Sequence, residues 1–359
     1  MKAGRMITQA HGNLLEADVD ALVNTVNTVG IMGKGIALQF KRAYPAMFKS
    51  YARAAKSHDV QMGRMHVWPT GVMTGPRFII NFPTKGHWRS RSQIADIERG
   101  LDDLVRLIRD QGIRSIAIPP LGCGNGGLDW ATVEPLIRRK LQSVSDVDVW
   151  LYAPEGAPVA ADMPNAVSKP AMTSGRAALV EVMALYGRRA MGDASLIETQ
   201  KLTYFLQTAG EPLRLNFVSY HYGPYADNLR HVLQHVEGHY VSGFGDGSSP
   251  VQEAEPLALL PGAEEAAHPV LAEHPETAAR IERVMQLVEG FESAYALELL
   301  ATVHWVLEHP AERSEPHDVV KAVQAWSPRK GRMFTPEHIR VAASTLRNRG
   351  WVPQLEESR

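Results

Sequence analysis

Lys85 closes an apolar run, Phe78 to Phe82 followed by Pro83, Thr84 and Lys85. A lysine at a strand end becomes a nucleophile or an acid when its pKa is lowered, here by burial or by a neighbouring cation such as Lys34. Two glycine-rich stretches accompany it. The first, Asn24 to Lys41, reads NTVNTVGIMGKGIALQFK, with Gly30, Gly33 and Gly35 between an apolar run and a helical pattern from Ile36. Strand, glycine loop and helix start together hold a pyrophosphate. The glycines let the backbone approach, and the free N–H groups of the first helical turn point at the anion. No GK[ST] ends this first loop, so it is not a Walker loop, and it does not read GxGxxG, so a dinucleotide fold has little support. The second stretch, Pro119 to Leu128, reads PPLGCGNGGL and places four glycines within six residues. It follows the apolar run Ile113 to Ile118. Ligands of open α/β sheets bind at the C-terminal ends of strands. Three such ends, two of them glycine loops, predict one crevice closing over one phosphorylated ligand. Unrelated turns and a surface lysine are the bland alternative, which the coincidence of the three disfavours.

These stretches require a sheet to carry them. Strands are expected at Met6–Gln9, Ala21–Val26, Met65–Pro69, Phe78–Phe82, Ile113–Pro119 and Val147–Tyr152. Between them lie helical patterns from Ile36, at Phe48–Lys56, at Ile94–Gln111 and at Val133–Leu141. Alternation of strands and helices predicts a largely parallel or mixed sheet covered on both faces. Asp129 stands before the Val133 helix, where it serves better as an N-cap than as a site residue. Gly156 to Thr173, rich in Ala and Pro without periodicity, reads as a linker. Beyond it, helices are expected at Ala177–Arg189, Leu196–Ala209, Tyr225–His235, Thr277–Glu289, Ala294–Glu308, His317–Trp326 and Pro336–Arg349. Gly243–Pro275 reads as a loop-rich insert.

The chain has 359 residues, 45% of them hydrophobic and 21% charged, which suits two globular domains. No apolar run is long enough for a membrane span, and the N-terminus has no signal-peptide pattern. Cys123 is the single cysteine, so no internal disulfide exists and a reducing cytoplasm is the expected home. The net charge of −1 hides a split: through Glu155 there are 20 Lys+Arg against 14 Asp+Glu, and beyond it 18 against 25. A basic first part and an acidic second part predict different partners.

Met6 to Glu155 resembles a macrodomain, the ADP-ribose-binding α/β/α fold. More narrowly, VNTVNTVGIMGKGIALQFK, NFPTK and PPLGCGNGGLDW resemble the macrodomains of DarG antitoxins, DNA ADP-ribosyl glycohydrolases paired with DarT toxins. The resemblance implies an α/β class, three-layer α/β/α, with a mixed six-stranded central sheet. It implies ADP-ribose as ligand, with Asn13 and Leu14 at the adenine end and Thr25, Val26 and Asn27 near the distal ribose. Gly35, Ile36, Ala37 and Leu38 fall on the phosphates. Thr84, Gly122, Cys123, Gly124, Asn125 and Gly126 complete the lining. Lys85 matches the lysine taken as catalytic in the family. Many macrodomains have an aspartate where Asn13 stands. A related animal glycohydrolase also uses an aspartate in the second loop, at the position of Gly126, so a Lys–Asp pair does not carry over. No metal or other cofactor is implied.

At the level of residues, Lys85 acts either as an amine attacking the anomeric carbon or as a cation relieving charge on the departing base. No pair of carboxylates for a glycosidase mechanism sits at a strand end. His87 and Trp88 line the mouth of the crevice or pack, and Arg89 and Arg91 either touch nucleic-acid phosphate or are solvated. In the second half, SYHYGPY at Ser219–Tyr225 resembles the YGP signature of SocA-like (Panacea) antitoxin domains, helical toxin-neutralising modules. His221, His231 and His235 lack the spacing of a zinc site and read as core or interface residues.

The reading is therefore a cytoplasmic antitoxin in two parts. Residues 1–155 form a macrodomain that removes ADP-ribose from a DNA base, thymine being the expected one, on single-stranded DNA. Residues 156–173 are the linker, and 174–359 form a mainly helical domain that binds the cognate DarT-like toxin. The rivals are a non-catalytic ADP-ribose reader and a hydrolase acting on protein-linked ADP-ribose.

Overall fold

The computed structural model describes residues 7–72, 74–309 and 318–353. The chain forms two compact units: Met1–Ser168 with Gly245–Ser249, and Lys169–Phe244 with Pro250–Arg359.

The first unit is built on a six-stranded sheet. Its strands are β1 (Ile7–Ala10), β2 (Ala21–Asn27), β3 (His66–Pro69), β4 (Phe78–Lys85), β5 (Ser115–Ile118) and β6 (Asp148–Tyr152). Their spatial order is β1-β6-β5-β2-β4-β3. All neighbours run parallel except β3, which pairs antiparallel with β4. The sheet is thus mixed, as expected, and β2 and β4 lie near its centre, where nearly every residue is buried. Side chains alternate between the faces. Ala21, Val23, Ile80, Phe82, Ile116 and Ile118 pack on one side with α3 (Ile94–Asp110) and α4 (Trp130–Leu141). Leu22, Val26, Ile79 and Ala117 pack on the other with α1 (Ile36–Ala43) and α2 (Pro45–Lys56). Burial on both faces is what a parallel sheet under crossover helices demands. At Gly100 of α3, an added Cβ would stand 2.3 Å from the Phe82 ring, so only glycine lets this helix approach its strand.

The helix signals differ at the starts of α4 and α1. Asp129 caps α4, its carboxylate accepting from Ala131 N–H at 3.2 Å, as read from the sequence. Helix α1 begins instead at Gly35, with φ 63° and no side-chain cap. Its first turn therefore keeps the exposed N–H groups and positive end that favour an anion.

The second unit is mainly helical. It comprises α5 (Ser174–Ala190), α6 (Leu196–Thr208), the hairpin β7 (Phe217–Tyr220) and β8 (Gly223–Ala226), α7 (Leu229–Val236) and the pair β9 (Val241–Ser242) and β10 (Ala258–Leu259). There follow α8 (Ala263–Glu273), α9 (Pro275–Val288), α10 (Ala294–Glu308), α11 (Val319–Ala325), α12 (Pro328–Met333) and α13 (Pro336–Asn348). One continuous core joins them. Two expectations are corrected. Tyr225 and Ala226 belong to β8 rather than to a helix, which begins only at Leu229, because Gly223 (φ 86°) turns the chain against Thr302. The expected loop 243–275 contains α8, whose Ala267 and Leu271 are buried. Met6 and His317, expected to begin a strand and a helix, lie outside the described residues. Among the described residues no helix is long and apolar enough to cross a membrane.

Candidate functional site

The three strand ends converge because their strands are neighbours in parallel register. Asn27, the last residue of β2, pairs with Lys85, the last of β4. Lys85 Nζ donates to the main-chain oxygen of Asn125 in the second glycine loop, at 3.0 Å. A Cβ on Gly35 would lie 3.3 Å from Asn125 Nδ2, so the first glycine loop meets the second at this same residue. Thr84 is buried with its hydroxyl donating to Val26 O at 3.3 Å. The structure thus brings together Lys85, Thr84, Val26, Gly35 and Asn125. Burial lowers the Lys85 pKa below the usual lysine value; Lys34 is not among the causes. Burial, and then the charge of Asp129, push the Cys123 thiol up to about 11, which keeps it protonated and unreactive.

The asparagines of the first stretch are structural in different ways. Asn24 and Asn81 are fully buried and joined, Asn24 Nδ2 to Asn81 Oδ1 at 2.9 Å. Asn27 folds the loop after β2: its Nδ2 donates to Ile31 O at 2.6 Å, and its Oδ1 accepts from the N–H groups of Val29 and Ile31. Tyr51 OH donates to Asn27 O. In the phosphate segment, Leu38 N–H is taken by Gly35 O and Gly35 N–H donates to Asp246 O at 3.1 Å. That leaves the N–H groups of Ile36 and Ala37 as the open donors of the first turn among the described residues.

At the other end of the sheet edge, Asn13 caps the short turn Leu14–Glu16 through Leu15 N–H, and its Nδ2 donates to Asp162 O at 2.9 Å. Leu14 is buried. Thr25 is half-buried at the middle of the β2 run. The hydrogen bonds of Asn13 run to Leu15 and Asp162, away from the Lys85 cluster.

The second glycine loop owes its shape to two of its glycines. Gly122 takes φ 74°, and a Cβ there would press on Leu128 and Ser92. At Gly126 a Cβ would stand 2.3 Å from Ser92 Oγ and 2.4 Å from Gly122 O, so this backbone excludes any side chain at 126. Gly124, by contrast, faces open space and has no positive φ. Ser92 was not legible as part of the site. Its N–H donates to Gly126 O at 3.0 Å and its buried hydroxyl has no hydrogen-bond partner, so it tucks under the loop.

Asp246 is the second residue sequence reasoning missed. It is buried in the first unit, its Oδ2 accepting from Gln39 Nε2 at 2.6 Å, while the neighbouring Gly245 O accepts from Arg42 Nη1 at 2.8 Å. The short segment Gly245–Ser249 thereby straps helix α1 along the turn that offers the open N–H groups.

In the second unit, Lys201 Nζ donates to Pro224 O at 2.7 Å, and buried Glu298 is shared by Lys330 and Arg329. His235 Nδ1 meets His231 O of its own helix at 2.6 Å. Among the described residues the converging ligand atoms are those of Glu181, Glu264 and His268. Arg188 already pairs with Glu264 at 2.7 Å, which supplies the positive charge a metal would bring.

Residues 23–137 match the Macro domain family. Over 96% of this chain and 94% of its relative, the sequence is 46% identical to a DNA ADP-ribosyl glycohydrolase of Thermus aquaticus. It is 31% identical to a DNA ADP-ribosyl transferase-DNA ADP-ribosyl glycohydrolase fusion protein of Thermosipho africanus, over 43% of each chain. Among solved structures it is similar to the macrodomain of Mycobacterium tuberculosis DarG, at 56% identity and a TM-score of 0.42, covering 42% of this chain and 100% of that one. The chain belongs to the DNA ADP-ribosyl glycohydrolase family and carries its macrodomain in the first unit.

Proposed function

We propose that this protein is the antitoxin of a toxin–antitoxin pair that hydrolyses the N-glycosidic bond between ADP-ribose and a DNA base, thymine being the expected base. The observation that carries the reading is Lys85. It ends β4 beside both glycine loops, its amine reaches Asn125 O, and burial lowers its pKa. ADP-ribose lies with its pyrophosphate at the Ile36 and Ala37 N–H groups. Thr25, Val26, Asn27, Thr84 and Gly122 to Gly126 line the ribose and its base, and Asn13 and Leu14 the adenine. The anomeric carbon faces Lys85.

In one course the Lys85 amine forms a bond to the anomeric carbon while the bond to the base nitrogen breaks. The base leaves with the electron pair and takes up a proton, and water then displaces the lysine to release ADP-ribose. In the other, water attacks directly and the Lys85 ammonium stabilises the charge on the departing base. Both need Lys85 and neither needs a carboxylate partner, which suits the side-chain exclusion at Gly126.

Residues 1–155 act as the macrodomain, 156–173 as the linker and 174–359 as the module that holds a DarT-like toxin, in the cytoplasm. The fusion of transferase and glycohydrolase in the Thermosipho relative supports the pairing. The test is incubation of the purified protein with ADP-ribosylated single-stranded DNA and, separately, ADP-ribosylated protein, following unmodified product and free ADP-ribose. Release from DNA is expected. Release from protein alone moves the substrate class, and binding without release makes the protein a reader.

A further inference from the structure

Directly beyond Lys85 lies a group of flat side chains that hydrolysis at the anomeric carbon does not use. Trp88 is 41% exposed. Its ring centroid lies 5.3 Å from that of His87, with the planes 32° apart, and the Arg89 guanidinium sits 4.4 Å from its centroid. The segment is held at both ends. Gly86 O accepts from Thr28 N–H at 3.2 Å and from Thr28 Oγ1 at 2.7 Å. Arg89 N–H donates to His87 Nδ1 at 3.2 Å, Ser90 N–H to His87 O at 2.9 Å, and Ser92 N–H to Gly126 O at 3.0 Å. The tie through Thr28 also brings the first glycine loop alongside, where Val29 and Ile31 are each 45% exposed. A pinned indole, a cation against it and apolar neighbours thus stand three residues past the lysine that meets the substrate.

An indole left in water beside a cation has a use when a π-face and an anion arrive together. A nucleotide brings both: its base stacks on the ring whatever its identity, and its phosphate meets the guanidinium. The first part of the chain is basic, 20 Lys+Arg against 14 Asp+Glu through Glu155, which adds charge complementarity to a polyanion. We propose that Trp88, with His87 and Arg89, is a stacking subsite for the nucleotide adjacent to the modified one in a single strand. Single strands are required, because a paired base has no free face for the indole. The subsite rests on the reading of the substrate as DNA-linked ADP-ribose, and it adds affinity for an oligonucleotide to that for ADP-ribose.

The test compares the full-length protein with Trp88→Ala and Trp88→Phe on two substrates: an oligonucleotide carrying one ADP-ribosylated base, and the corresponding ADP-ribosylated nucleoside. For Trp88→Ala, kcat/KM on the oligonucleotide should fall about 5- to 150-fold, mainly through KM, the range that loss of one stacked base produces. The ratio of oligonucleotide to nucleoside kcat/KM should fall by the same factor, and Trp88→Phe should recover most of it. An equal loss on both substrates assigns Trp88 a structural role and overturns the subsite, as does no loss on either. Wild-type protein that prefers neither substrate over the other also overturns it while leaving the hydrolase reading intact. Wild-type protein that cleaves neither removes the hydrolase reading itself, and the subsite with it.

Discussion

Replacement of Lys85 by alanine separates chemistry from binding. In the fold, the side chain makes one hydrogen bond, from Nζ to Asn125 O at 3.0 Å, and it is only half-buried. Losing it costs about 0.5–1.5 kcal/mol of stability at most. With the pyrophosphate on the main-chain donors of α1, as proposed, ADP-ribose affinity should change by less than about tenfold, a contribution of one hydrogen bond. Turnover should fall by about 100- to 10,000-fold or more, the usual worth of a positioned proton-transfer or nucleophilic group. That is about 2.7–5.4 kcal/mol of barrier. The assay is release of ADP-ribose from a modified single-stranded oligonucleotide, with ADP-ribose affinity measured by calorimetry on the same preparation. The pH profile then distinguishes the two roles. Burial lowers the Lys85 pKa, so the neutral amine grows as pH rises toward a value below the usual 10.5. An attacking amine gives a rate that climbs with pH and levels off above that pKa; an assisting ammonium gives a rate that is level below it and falls above. Lys85→Arg keeps the cation and loses the nucleophile, so activity retained by arginine selects the second role. Turnover of Lys85→Ala within about threefold of wild type, well short of any catalytic contribution, refutes the assignment.

Three further perturbations follow from the geometry. Gly126→Val places a branched side chain where even a Cβ would stand 2.4 Å from Gly122 O, so the second loop must move; ADP-ribose affinity should fall about tenfold or more by calorimetry, while Gly124→Ala, facing open space, should fold and melt as wild type. Asp246→Ala leaves buried Gln39 Nε2 without its acceptor and frees the strap over α1; the first unit should lose about 1–3 kcal/mol in denaturant unfolding and bind ADP-ribose more weakly, and an unchanged unfolding curve rules out the strap. Burial holds His304 neutral, with a pKa pushed down to about 4, so between pH 6.5 and 4 the unfolded chain takes up a proton that the folded chain refuses. Stability of the second unit should therefore fall with pH across that window, by about 2–3 kcal/mol at pH 4.5, and His304→Gln should flatten the slope.

The sheet was legible because its strands carry their own signal. Ala21 to Val26 and Phe78 to Phe82 carry apolar residues on both faces, as central parallel strands must, with Asn24 and Asn81 buried as a hydrogen-bonded pair. The place of Lys85 was legible for the same reason: once β4 is recognised, its last residue stands at the C-terminal edge of the sheet. The second unit was read less well where local chemistry and tertiary demand disagree. Tyr225 and Ala226 follow Gly-Pro and extend into β8, held by Lys201 on Pro224 O and by Gln200 on Ala226. Those partners lie more than twenty residues away, so no local pattern announces them. Helix α8 hides behind the Pro and Gly density of its neighbourhood and contains Pro269, yet Ala263, Ala267 and Leu271 form a buried stripe at helical spacing. Asp246 was beyond reach for a different reason. Its partner Gln39 is separated from it by 207 residues, and an acid in a Gly-rich stretch reads as solvated.

Gly126 shows why a resemblance must be tested against the backbone that carries it. A related glycohydrolase places an aspartate at this point of the second loop, which invites the expectation of a partner for Lys85 here too. The obstacle is not merely that glycine was chosen. Ser92 N–H reaches over to Gly126 O, Leu128 N–H closes on Gly122 O, and the two glycines approach until no Cβ fits between them. The loop has exchanged a side chain for a tight main-chain turn. At this position the charge that an aspartate would have supplied is absent, and burial alone lowers the Lys85 pKa. A lysine so placed loses its proton more readily than one held in an ion pair, since a nearby carboxylate would raise its pKa. The tight turn at Gly126 thus leaves no place for a carboxylate at this position, and burial is what shifts the Lys85 pKa.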